Sequence, residues 1–336
     1  MDTVIGYVGA ILAWVLLSTI VSWIRNAAAR KDALETAERA LWIKADSGYD
    51  LSSNWPELQE LFQIASRVLS PEVLHTPPLT IVPPQTGRAT DYVKHCVQLA
   101  LERYKEPPPK IAVRIAPFEG THAGRVRFER GCWFMDLQQV FAYDNEQLAS
   151  IVAHEMAHVV LQRRGITLHS VLRNEELTDF IAAAAGFGSI MLAANYRITH
   201  KVRGEYLESK GIRLGYLRPS ALAMATLLQG EISGTDVRAT IPPECRHNVL
   251  RFLAKLRTRP LKAARTVAVA LACYGCQSSL PVAEVTTLRR RARIKCSACG
   301  LPNEFRVASN RTRWTLVLLA VSAILILILV LLRSLP

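Results

Sequence analysis

The stretch His154-Glu155-Met156-Ala157-His158, with the pattern H-E-x-x-H, decides the reading of this chain. It sits inside an apolar run with helical spacing, in which Leu148, Ile151, Val152 and Val159 form one stripe. Asp144 followed by Gln147 resembles a capping pair and predicts the helix start, and Gly165 offers a stop. Residues four apart on a helix stand on one face, so His154 and His158 can grip a single zinc ion. Glu155 then lies beside the metal, placed to take a proton from a water that the metal activates. Two core histidines held by hydrogen bonds are the alternative, and the paired spacing around a glutamate favours the metal.

A tetrahedral zinc with one open position needs a third protein ligand. The next acidic cluster is Asn174-Glu175-Glu176-Leu177-Thr178-Asp179. Glu175 and Asp179 are four apart and share a face of a second helix. That spacing lets Glu175 bind zinc while Asp179 orients a ligating histidine through its second ring nitrogen. Glu176 points about a quarter of a turn away and is the lesser candidate. The competing reading is an acidic first turn that complements a helix dipole.

H-E-x-x-H followed by N-E-x-x-x-D resembles the gluzincin group of zinc metallopeptidases. The text Asn145 to His154 is similar to the helix of the membrane-bound heat-shock and CAAX-type proteases. The short interval from His158 to Glu175 is closer to the minimal gluzincins. The resemblance covers about residues 90 to 230 and is strongest over 144 to 188. It implies zinc held by His154, His158 and Glu175, with Glu155 as general base and Asp179 behind the ligands. It also implies a downstream group that stabilises the oxyanion, for which Tyr196, His200, Arg203 and Tyr206 are candidates.

Upstream of the motif, Lys110 to Ile115 and Arg125 to Arg130 alternate polar and apolar residues, as half-buried strands do. Gly120 and Gly124 bracket a turn between them, and Cys132 to Leu137 predicts a third strand leading to the helix. In zincins a small sheet of this kind offers its edge to an extended substrate beside the metal helix. Backbone pairing at such an edge gives affinity with modest sequence preference. An ordinary α+β core with nothing on its edge is the other reading.

A second metal site is written in the cysteines. Cys273-x-x-Cys276 and Cys296-x-x-Cys299 are separated by 19 residues, the spacing of a structural zinc ribbon. Four thiolates close the tetrahedron, so this metal has no open position. Gly275 and Gly300 suit the tight turns of such knuckles. A pair of redox C-x-x-C motifs is disfavoured, because no thioredoxin-like βαβ text lies nearby. Cys96, Cys132 and Cys245 show no pattern and read as buried thiols. Between the knuckles runs Arg289-Arg290-Arg291-Ala292-Arg293-Ile294-Lys295. Nucleic-acid strands of this type interleave aromatic rings, and the rings here, Tyr274 and Phe305, lie outside the run. A solvated basic strand facing lipid is the simpler reading.

Half of the 336 residues are hydrophobic, and the two ends explain much of that excess. Ile5 to Ile24 and Trp314 to Leu332 are charge-free runs of 20 and 19 residues, each long enough to cross a hydrocarbon core as a helix. The first lacks the basic start of a signal peptide and reads as a retained anchor. Ile181 to Ala194 is apolar but shorter, and reads as a buried core helix. Arg25, Arg30 and Lys31 follow the first run, and Arg306, Arg311 and Arg313 precede the second. By the positive-inside rule, residues 25–313 face the cytosol and both termini lie on the other side. The formal net charge is +13, and residues 25–313 carry all but one of the 41 basic residues and all but Asp2 of the 28 acidic ones. Anionic lipid is the expected partner of that surplus, with nucleic acid as the alternative.

The expected organisation is an α+β, zincin-like metallopeptidase domain with a small zinc ribbon, flanked by two transmembrane helices. Its segments are an anchor at 5–24, a helical and Pro-rich linker at 25–89 and the zincin-like domain at 90–235. A helical connector at 236–268, the ribbon at 269–308 and a second span at 314–332 complete it. The expected activity is peptide-bond hydrolysis at the cytosolic face with one catalytic and one structural zinc, on a peptide or protein substrate. The alternative is a silent zincin fold that, with its ribbon, recruits a protein or nucleic acid at the membrane.

Overall fold

The computed structural model describes residues 19–22, 24–25, 44, 46–80, 82, 87–118, 122–203, 206–261, 272–280 and 291–307, without the side chains of 196–213, 258–261, 291–292 and 305–307. The expected span at 314–332 lies outside the described residues, as does most of 5–24. The chain divides into two compact units at Leu250.

In the first unit, helices α1 (Leu51–Val68), α2 (Pro71–His75) and α3 (Ala89–Tyr104) precede strands β1 (Ile111–Ala116), β2 (Gly124–Glu129) and β3 (Cys132–Gln138). The central strand is β3: β1 joins it in parallel and β2 antiparallel, which among the described residues leaves β1 and β2 at the two edges. Arg130 and Gly131, at φ 49° and 78°, link β2 to β3 in a two-residue turn with both residues left-handed. That turn twists in the sense the strands twist and fixes the register that sets Glu129 opposite Cys132. Val113, Val126 and Met135 fall opposite one another and form the inner face, which packs on α3 and on α4 (Asn145–Arg163).

Helix α4 starts as its sequence predicts, with the Asp144 carboxylate accepting from Gln147 N–H at 2.9 Å. It ends at Arg163, where Gly165 N–H and Ile166 N–H close back on Gln162 O and Leu161 O. The apolar stripe and its flanks are buried together: Leu148, Ile151, Val152, Met156 and Val159 all lie inside. A second helix, α5 (Val171–Ala182), passes through a π-turn at Ala183–Phe187 into α6 (Gly188–Ala194). Among the described residues this stretch, Val171–Ala194, is the one helix long and apolar enough to cross a membrane, and 94% of its apolar window is buried inside the structure. Strands β4 (Tyr196–Arg203) and β5 (Tyr206–Arg213) form an antiparallel hairpin before α7 (Pro219–Ser233).

Helix α1 falls in the stretch that sequence alone reads as a linker, yet Leu58, Leu61, Phe62 and Ala65 are buried and Phe62 meets Phe180 of α5 edge-on. On the far side α6 presses against α7 so closely that a Cβ on Gly188 would stand 2.2 Å from Thr226 Oγ1. Gly188→Ala is therefore expected to destabilise the unit by about 1–3 kcal/mol, read as a lower midpoint in a urea or thermal melt.

The unit boundary falls within α8 (Pro243–Arg257). In the second unit β6 (Thr258–Leu261), β7 (Arg291–Lys295) and β8 (Pro302–Val307) form a sheet in the order β6-β8-β7. The ribbon sheet thus takes a strand from the segment expected to be connector.

Candidate metal centres

Helices α4 and α5 run side by side and deliver the three expected side chains to one point. His154 Nε2 and His158 Nε2 each lie 3.1 Å from Glu175 Oε2, and 3.2 Å from each other. Ligand atoms about 2.0–2.1 Å from a tetrahedral zinc stand roughly 3.3 Å apart, so the donor set fits that ion in type and spacing. Glu176 turns away and pairs with Arg173 at 3.0 Å.

The far nitrogens of both rings are also held. His154 Nδ1 lies 2.7 Å from Asp179 Oδ1, an acceptor. His158 Nδ1 lies 3.2 Å from Thr178 Oγ1, whose own proton goes to Asn174 O at 2.8 Å, leaving that oxygen to accept. Both Nδ1 atoms therefore carry hydrogen, and both Nε2 lone pairs aim at the common point. Asp179, 1% exposed, accepts through its second oxygen from Tyr216 N–H and from Leu217 N–H at 2.9 Å. One buried carboxylate thus ties the α4 histidine to the loop after β5.

Electrostatics follow from the crowding. Burial resists charge on Glu175, but hydrogen bonds from His154 and His158 outweigh it and bring its carboxyl down to about 2. Burial likewise opposes charge on His154, yet Asp179 and Glu175 raise it to about 10. That same preference for positive charge at the three atoms is what a cation satisfies in place of the proton. Burial pushes the Glu155 carboxyl above its ordinary range, against the pull of His154 and His158.

A cleft opens over this point, lined by His122, Gly124, Glu155, Asn195 and Tyr216, among others. Gly124, the first residue of β2, is packed tightly there: a Cβ on it would meet Ile151 Cγ2 at 2.7 Å and Glu155 Oε1 at 2.9 Å. Tyr216 stacks on the His154 ring with centroids 5.8 Å apart. Burial and the nearby carboxylates of Glu175, Asp179 and Glu155 push its phenol upward. The side chains of Tyr196, His200, Arg203 and Tyr206, on the β4–β5 hairpin, lie outside the described residues. Sequence reasoning passed over Thr178, although it lies three residues after Glu175 on the same helix face. It also passed over His122 and Tyr216, which reach the cleft from distant loops.

In the second unit Cys273, Cys276, Cys296 and Cys299 form a group that can hold a metal ion, with all sulfurs within 4.8 Å of one another. Cys273 and Cys299 sulfurs are 3.7 Å apart and those of Cys276 and Cys296 3.6 Å, close to the roughly 3.8 Å of thiolates about a tetrahedral zinc. The two knuckles match: Gln277 N–H returns to Cys273 O, and Gly300 N–H to Cys296 O. The left-handed positions are Gln277 at φ 59° and Gly300 at φ 79°. Gly275, expected to make the first turn, is not left-handed, because the bend falls two residues later. Buried Asn303 accepts from Tyr274 N–H at 3.0 Å and points its amide at Cys273 sulfur. Tyr274 itself is 1% exposed, while Arg293 and Lys295 of β7 are exposed.

Comparison with protein-family models, with curated proteins and with solved structures finds no match to this chain.

Proposed function

We propose that the chain is a zincin-like, gluzincin-type zinc metallopeptidase, with His154, His158 and Glu175 holding the catalytic ion. The observation that carries this reading is the convergence of three ligand atoms whose rings are both oriented from behind, with a buried glutamate beside them at the floor of a cleft. A zinc ion held by His154, His158 and Glu175 would supply a Lewis acid to polarise the scissile carbonyl and acidify water. Glu155 takes the proton from the attacking water and delivers it to the leaving amine. The free edge of β2, which begins at Gly124 against Glu155, receives the peptide as an added strand. His122 and Tyr216 are among the protic side chains that line the cleft, with Ser150 and Asn195.

The ribbon holds a second zinc that is structural, since all four positions are thiolates. Two apolar runs, 5–24 and 314–332, anchor the chain, and their flanking arginines set residues 25–313 on the cytosolic side beside anionic lipid. Recruitment of nucleic acid by a silent zincin fold is the weaker reading, since buried Tyr274 cannot stack on a base.

Zinc content and cleavage of a mixed peptide library, measured on the wild type and on Glu175→Ala, test the proposal. Two zinc ions with cleavage are expected in the wild type, and one zinc ion without cleavage in Glu175→Ala. Full zinc content and undiminished cleavage in Glu175→Ala would overturn the ligand assignment.

A further inference from the structure

The outer face of the three-stranded sheet, opposite the helices, carries an arginine cluster. Arg114 of β1 and Arg125 of β2 lie directly across from Asp136 of β3, and their Nε–H groups donate to its two oxygens at 2.8 and 3.1 Å. Asp136 is buried, while the Arg114 and Arg125 side chains are 60% and 50% exposed. The carboxylate takes only the Nε–H of each, so the bond to Asp136 does not use the terminal Nη donors of Arg125. Arg127, two residues along β2, lies on the same face, 3.6 Å from Asp136 and ion-paired with Glu129. Three guanidinium groups thus meet two carboxylates. Arg125 rests on the Phe118 ring at 5.0 Å and Arg127 on the Phe134 ring at 4.9 Å, which limits the freedom both lose when they bind.

Arg125 and Arg127 stand on β2, an edge strand among the described residues. The two-residue turn at Arg130–Gly131 makes Glu129 and Cys132 a hydrogen-bonded pair, and the pattern alternates from there. Arg125 and Arg127 therefore spend their backbone groups on β3, and Val126 and Phe128 turn theirs to the free edge. A peptide laid on that edge places every second side chain on the arginine face, next to Arg125 and Arg127.

We propose that this face selects extended peptides with acidic side chains at two alternate positions, read by Arg125 and Arg127. The inference rests on the peptidase reading for its edge strand, but it concerns binding and is tested as binding. The probes are fluorescent twelve-residue peptides of alternating Thr and Glu, alternating Thr and Lys, and repeated Thr-Thr-Glu-Glu, titrated into the Glu155→Gln protein. Alternating Thr-Glu and Thr-Thr-Glu-Glu carry the same net charge, and only the first gathers its carboxylates on one face. Alternating Thr-Glu is expected to bind about two- to fivefold more tightly per engaged arginine than the block pattern, the range that opposed cross-strand charges reach. Arg125→Gln with Arg127→Gln should abolish that difference. Arg114→Gln, on β1 at the opposite side of the sheet from β2, should keep it and controls for general loss of charge and for folding. Equal binding of the two glutamate patterns, tighter binding of the Thr-Lys peptide, or an unchanged ordering in the double variant would overturn the proposal. Retained ordering in Glu155→Gln alongside a wild type that cleaves none of the peptides would leave this inference standing and remove the hydrolytic reading instead.

Discussion

Replacement of Glu155 by Gln is expected to lower peptide cleavage about 10²- to 10⁴-fold with zinc content unchanged. The reasoning starts from placement. Glu155 is not among the three converging ligand atoms, so its loss leaves the metal set intact. It is 5% exposed and lines the cleft floor against Gly124, where an amide of the same shape fits without repacking. What the amide lacks is the capacity to accept a proton and pass it on. Removal of a buried charge also spares its desolvation, so the variant should fold at least as well as the wild type. Cleavage retained with zinc bound would sink the proton-transfer role; zinc lost with cleavage would make Glu155 a ligand.

Asp179→Ala should have the largest effect on stability, a loss of about 3–5 kcal/mol, with zinc affinity weakened roughly 10- to 100-fold. This carboxylate accepts from His154 Nδ1–H and from the Tyr216 and Leu217 amides while almost fully buried. Truncation strands three donors inside the protein and frees the His154 ring to turn. Asp179→Asn keeps one acceptor oxygen and should fall between the two. A urea melt and competition with a zinc chelator read the two effects separately. An alanine variant with wild-type stability would show that the 215–217 loop is held by other contacts.

The features legible in the sequence are those fixed by local spacing. Asp144 caps α4, His154 and His158 share a face, Glu175 and Asp179 share another, and alternation marks β1 and β2 within a residue or two. The paired C-x-x-C knuckles likewise specify their own geometry. What escaped depends on contacts between distant segments. Nothing local tells that β3 inserts between β1 and β2, since parallel pairing leaves no mark in either strand. The amides of Tyr216 and Leu217 reach Asp179 across 37 and 38 residues, and backbone donors have no side-chain signature. Helix α1 reads as a charged linker because its exposed face outnumbers the apolar residues it buries. Gln277 in the left-handed position of the first knuckle shows the limit of assigning turns from glycine alone.

The helix stretch Val171–Ala194 has a further consequence for how the chain is made. It is apolar enough to be taken for a membrane span, yet it carries Glu175 and Asp179 and ends up enclosed. Its first cover, α1 and α4, leaves the ribosome earlier. Its second cover, α7, follows about 40 residues later, which at 5–20 residues per second is roughly 2–8 s of synthesis. Throughout that interval one oily flank awaits its partner. The order of the elements along the chain thus sets half of this helix's cover before it and half after it.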